Sequence, residues 1–278
     1  MRKYMLLGLA CGVAIALTTA RAQADNEKGT AVIKGKVVFD GAAPATKGLP
    51  PMNADPVCAK ANAKPQPDQG TIVYSKQGNT IPFTFVYVKS GLKGKYDAPK
   101  DPVVLDQKGC MYHPHVFGMV AGQAIEIKNS DQTNHNIHSL PKKNTEFNFA
   151  QANAGMVKKL DGKDTFTKPE IMVKIKCDVH AWMSSYCGVV SNPFFAVTKS
   201  HEDTQTESER GTFEIKELPA GDYELEAWHE NFGSATVKVS VKDGESKDVE
   251  IKLTGKRGDA PAAREVILSS AADKVEKP

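Results

Sequence analysis

Apolar and polar residues alternate along most of this chain in short runs, the two-residue period of a half-buried strand, and no stretch shows the 3.6-residue period of an amphipathic helix. Residues 31–41 read as a strand closed by Asp-Gly, and the Pro- and Ala-rich stretch 42–69 reads mostly as loop. Strands are predicted at 71–75 and 81–89. In the second, Phe83, Phe85 and Tyr87 alternate with Thr84, Val86 and Val88, so both faces are expected to be covered. After a Gly/Lys/Pro connector at 91–101, short strands are predicted near 103–105, 115–120, 124–128, 146–149, 156–159, 171–176 and 188–190. Gly and Pro punctuate them at the rhythm of a β-sandwich. The polar run 199–210 reads as a solvated turn. Residues 211–229 then give two alternating strands around Leu-Pro-Ala-Gly, and two more follow at 234–241 and 246–253. The predicted fold class is all-β.

The ends of the chain differ from this pattern. Arg2 and Lys3, the apolar run 4–17 and Ala22-Gln23-Ala24 have the order of a secretory signal, with cleavage expected after Ala24 and a periplasmic or secreted destination. Lipidation at Cys11 is the alternative. Residues 255–278 are expected to be a mobile tail. Cleavage would remove Arg2, Lys3 and Arg21 and no acid, leaving 33 basic against 33 acidic residues. A neutral chain without a basic run argues against a nucleic acid partner, and no later stretch is long and apolar enough for a membrane span.

The most informative stretch is Cys177-Asp178-Val179-His180-Ala181-Trp182-Met183. It follows the alternation Ile171, Val173, Ile175, which places Cys177 on the apolar face at a strand end. His180 and Met183 then recur at every third residue. Thiolate, imidazole and thioether are three members of the blue-copper ligand set, which needs a Cys, two His and a distant axial Met. Upstream, the alternating run 124–129 ends in a polar loop that offers His135 and His138 as the second imidazole.

Asn129, the six-residue step to His135, Asn136 and the Cys-x-x-His-x-x-Met run together resemble the cupredoxin family, with amicyanin and pseudoazurin nearest in loop spacing. The resemblance covers residues 103–198. It implies a Greek-key sandwich with one type 1 copper per chain, held by His135, Cys177, His180 and Met183, with His138 only a neighbour. It also implies that the backbone N–H of Asn136 points at the Cys177 sulfur, with Asn129 in the surrounding shell. It further implies that the His180 edge reaches the surface, beside Ala181 and Trp182, where a redox protein would dock transiently. Residues 211–253 resemble a carboxypeptidase regulatory-like, prealbumin-like β-sandwich. Its opening strand is matched by residues 33–37, so the copper block is expected to be inserted into, or packed against, a sandwich built from 31–102 and 199–254.

If Cys177 binds metal it cannot be oxidised, and Cys58 and Cys110, both in turn-like settings, become the disulfide candidates. Cys187 is then a buried thiol; a Cys177–Cys187 staple is the competing arrangement. Seven histidines supply no second copper cluster: the only His-x-His is His113-Pro114-His115, expected at a strand edge on the surface, and no His flanks Cys177. The expectation is therefore a monomeric electron carrier and not an enzyme. Copper delivery, or a structural sandwich with a vestigial metal site, are the alternatives. His229, beside Trp228, is expected either to anchor the two sandwiches or to be an ordinary satisfied histidine.

Overall fold

The computed structural model describes residues 26–255. The expected leader, Cys11 and all but the first residue of the expected tail lie outside them. In chain order the described residues form β1 (Ala31–Phe39), α1 (Pro56–Ala61), β2 (Phe85–Ser90), β3 (Val103–Lys108), β4 (Met111–His113), β5 (Val116–Val120) and β6 (Ile125–Asn129). They continue with β7 (His135–Leu140), β8 (Asn148–Gln151), β9 (Val157–Leu160), β10 (Glu170–Lys176), β11 (Ser184–Val190) and β12 (Phe195–Val197). The last four strands are β13 (Thr212–Leu218), β14 (Gly221–His229), β15 (Gly233–Val241) and β16 (Ser246–Leu253). The protein is all-β, as the alternation requires.

Four sheets make two sandwiches. The first pairs the order β5-β11-β10-β7-β8 with β4-β3-β6-β9. It closes over Leu105, Ile125, Ile127, Ile137, Val173 and Ile175, the inward positions of the alternating runs. The second pairs β13-β1-β16 with β12-β2-β14-β15, over a core that includes Ile33, Val37, Val86, Leu225, Val237 and Ile251. Strand β1 runs parallel to β16 from Val32 opposite Ser246 to Phe39 opposite Leu253, and antiparallel to β13. The beginning and end of the described chain therefore share a sheet.

A third cluster joins the sandwiches, with Phe83, Phe85, Tyr87, Val116, Tyr186 and Val190 buried and Trp228 and Phe195 packed against them. This is why both faces of β2 are covered: Phe85 and Val86 are each fully buried on opposite sides. The contact is close enough to require glycine. A Cβ on Gly188 would lie 2.4 Å from the Phe85 ring.

Several local expectations are revised. The strand expected at 71–75 is absent: Asp68 caps a 3-10 turn at Gln69–Thr71, Tyr74 makes only an isolated bridge to Thr80, and a second turn at Ser75–Gln77 ends at Gly78 in the left-handed region. Short-range turn chemistry overrides the alternation there. The following strand begins at Phe85 and not at 81, because Pro82 has no N–H to donate and Phe83 adopts φ +55°. Within the stretch expected as loop, Asp55 and Pro56 start a helix, with the Asp55 side chain accepting from the Val57 and Cys58 amides. Six residues are too few to display a helical period. His115 is not a surface residue: it is buried, with Nε2 2.5 Å from Glu230 Oε1 and Nδ1 3.1 Å from the Ser184 carbonyl. His113 is half-buried beside Glu202.

Candidate metal centre

Strands β10 and β11 form a hairpin in which Lys176 faces Ser184, and the connecting loop is the Cys177–Met183 stretch. Three contacts fold this loop on itself: the His180 N–H donates to Cys177 Sγ at 3.4 Å, Met183 N–H to the His180 carbonyl at 3.0 Å, and Cys177 N–H to the Met183 carbonyl at 3.2 Å. Met183 is fully buried in the same core as Cys177. On the other side β7 pairs with β10, Ser139 opposite Ile175, which brings His135 at the start of β7 beside the loop. The polar loop expected to carry His135 and His138 is shorter than that: both lie in β7, and His135 opens it.

One ring nitrogen each of His135 and His180 and the Cys177 Sγ all lie within 4.8 Å of one another, and all three residues are buried. The two Nδ1 atoms are 3.0 Å apart, and Cys177 Sγ is 3.9 Å from His180 Nδ1. The Asn136 N–H donates to Cys177 Sγ at 3.4 Å, and the Asn136 carboxamide accepts the Asp178 N–H at 2.5 Å. Asn129 lies one layer further out. It holds the loop before His135, donating to the Thr133 and Gln151 carbonyls and accepting the Asp131 N–H. His138 turns away, between Asp178 and Glu146.

The remote nitrogens of both imidazoles meet carboxylates. His135 Nε2 is 2.9 Å from Asp131 Oδ2, and His180 Nε2 is 3.2 Å from Asp55 Oδ2. An ionised carboxylate only accepts, so each neutral imidazole places its N–H at Nε2 and turns the Nδ1 lone pair inward. Two lone pairs 3.0 Å apart repel unless a proton or a metal cation lies between them. In the metal-free site a proton on His135 meets that need. Burial opposes charge on His135, but its bonds to Asp131 and Cys177 outweigh this and push it up to about 9. His180 is held down by burial and by the His135 charge. Burial raises the Cys177 thiol, and contacts from His135 and the Asn136 and His180 amides more than offset this, leaving it below its ordinary value.

Sequence reasoning expected the His180 edge at the surface; it is 3% exposed. Asp55 covers it from α1, with Cys58 Sγ 3.8 Å from Nε2. Cys58 and Cys110 form the expected disulfide, and Cys177 and Cys187 are both free and buried, so the competing staple is absent. Ala181 is exposed; Trp182 is half-buried, packs 5.0 Å from the His180 ring and donates its indole N–H to the Cys110 carbonyl. Asp55, Asp131 and Thr133, whose hydroxyl donates to Asp55 Oδ2 at 2.5 Å, were not anticipated. Asp131 had a signal, lying four residues before His135. The Asp-Pro helix start could have marked α1, but nothing local connects residue 55 with residue 180.

No family model matches the chain, and no curated protein matches it. Among solved structures, a copper-containing nitrite reductase from Thermus scotoductus aligns over 37% of this chain and 25% of its own, at 21% identity and TM-score 0.29. A purple cupredoxin from Nitrosopumilus maritimus aligns over 31% of this chain and 98% of its own, at 19% identity and TM-score 0.26. An amicyanin variant in the Cu(I) form aligns over 37% of this chain and 97% of its own, at 16% identity and TM-score 0.27. This chain therefore spans a quarter of the nitrite reductase. Likenesses at this level are confined to one part of the chain and say nothing about what it does.

Proposed function

We propose that this chain is an exported type 1 copper protein that carries single electrons between redox partners, with one copper held by His135, Cys177, His180 and Met183. The observation that carries the reading is the convergence of two inward-facing imidazole Nδ1 atoms on a buried, depressed thiol, with a fully buried methionine closing the same loop. That donor set suits copper better than zinc, for which a thioether is a poor ligand. Copper supplies a one-electron couple; the protein orients the imidazoles through Asp131 and Asp55, steadies the thiolate through the Asn136 and His180 amides, and excludes water. In this reading residues 103–198 are the copper unit, set into a carboxypeptidase regulatory-like sandwich formed by residues 31–102 and 199–254, with two exchanges across the boundary: β12 pairs with β2 in the second sandwich, and Met52 and Cys58 pack in the core of the first. The pairing of β1 with β13 and β16 supports that division.

Titration of the chain with Cu(II), followed by visible absorption and electron spin resonance, tests the proposal. The expected result is an intense thiolate charge-transfer band saturating at one copper per chain, lost in Cys177→Ala. A colourless wild type, or a Cys177→Ala protein that keeps the band, refutes it. The cover over His180 favours a second reading, in which the same centre holds copper for delivery. Rapid transfer of Cu(I) to a chelator with negligible electron exchange would support that role instead.

A further inference from the structure

The two carboxylates that meet the imidazoles are built into cradles of the same design. Asp55 Oδ1 accepts the amides of Val57 and Cys58, while Oδ2 faces Thr133 and His180. Asp131 Oδ1 accepts the Gly109 amide, and Oδ2 accepts the Cys110 amide and faces His135. In each cradle one donor is the backbone N–H of a disulfide cysteine. The bond between Cys58 and Cys110 therefore joins the two cradles directly. Trp182, from the ligand loop itself, is tied to the same clip through the Cys110 carbonyl.

We propose, building on the copper reading above, that Asp55 and Asp131 are paired positioning residues for the two imidazoles and that the Cys58–Cys110 disulfide fixes their spacing. The chain of contacts runs from each imidazole to a carboxylate, from the carboxylate to a cysteine amide, and across the disulfide to its counterpart. Beyond the His180 imidazole, no part of it belongs to the ligand loop. Asp55 and Cys58 come from a segment that precedes residues 103–198, so the geometry of the centre depends on a clip of which one half is supplied from outside that block. A carboxylate behind a ligating imidazole raises the basicity of the inward nitrogen and favours the more highly charged metal ion.

The experiment compares wild type with Asp55→Asn, Asp131→Asn, Asp161→Asn and the Cys58→Ser/Cys110→Ser double variant. Cu(II) affinity, reduction potential and the copper hyperfine splitting are measured in each, after a thermal melt confirms folding. Asparagine is as good a helix cap as aspartate, so Asp55→Asn keeps α1 while an amide donor replaces the Oδ2 acceptor that faces Thr133 and His180. Asp161 is exposed just after β9, is paired with Lys159 away from the centre, and serves as the control for general loss of charge. The expected result is Cu(II) binding about 10–100-fold weaker in Asp55→Asn and Asp131→Asn. A tenfold loss of Cu(II) affinity relative to Cu(I) reads as a rise of about 59 mV in potential. The double serine variant should change the hyperfine splitting and make Asp55→Asn cost less in its background. Asp55→Asn and Asp131→Asn variants that match wild type, or that shift no more than Asp161→Asn, overturn the positioning role while leaving the copper reading intact. A wild type with no copper–thiolate band removes both.

Discussion

Acidification should destabilise this protein through His229, the last residue of β14. Its side chain is 1% exposed, Nδ1 accepts the Asn231 and Phe232 amides at 3.2 Å each, and the ring stacks on Phe232. Burial depresses it to about 3, with His115 adding to the effect and Glu230 opposing it. The folded state therefore resists a proton that the unfolded chain accepts near pH 6.5. Stability contributed by neutral His229 is fully present above that value and is lost as pH falls toward 3. Between about pH 7.5 and pH 4.5 the unfolded chain gains about 2.7 kcal/mol from protonating this residue, and the folded chain almost nothing. The assay is urea unfolding at both pH values for wild type and His229→Asn, whose carboxamide oxygen can accept the same two amides without titrating. The loss on acidification should be smaller in the variant by about 2–3 kcal/mol. A difference below about 0.5 kcal/mol, within the scatter of independent sites, would refute the assignment of the acid sensitivity to His229.

Two further outcomes follow from the packing and the ligand set. Met183→Leu should retain the charge-transfer band and raise the reduction potential on the order of 60 mV, a tenfold change in relative Cu(I)/Cu(II) affinity, by removing a donor that helps hold Cu(II); an unchanged potential in voltammetry argues against axial ligation. Gly188→Ala puts a methyl 2.4 Å from the Phe85 ring and should cost about 1–3 kcal/mol. That predicts a fall in Tm of about 2–4 °C per kcal/mol for a chain of this size, and a calorimetric Tm within about 1 °C of wild type would mean that the join between the sandwiches yields freely.

That join bears on the centre. His115, at the start of β5, links the Ser184 carbonyl to Glu230, which follows β14. Ser184 is the residue after Met183. The second sandwich thus holds the end of the ligand loop from one side while α1 covers it from the other. The His180 edge is covered, and the exposed residues nearest it in the loop are Asp178, Val179 and Ala181.

The sequence by itself determined what depends on neighbours along the chain. Alternation over five to nine residues specified most strands, because a pleated strand exposes every second side chain to the same environment. Cys177, His180 and Met183 were legible as a unit because one hairpin loop carries them, and Asn136 was legible because it follows His135. Tertiary structure decided which groups stand behind the imidazoles. The Asp55–His180 contact spans 125 positions and the His115–Glu230 contact 115. Neither has a local pattern, since each pair meets only after separate sheets have packed. The burial of His180 was misread for the same reason: exposure is a property of everything that folds over a residue, and here the covering segment precedes residues 103–198 and is held to them by the Cys58–Cys110 disulfide.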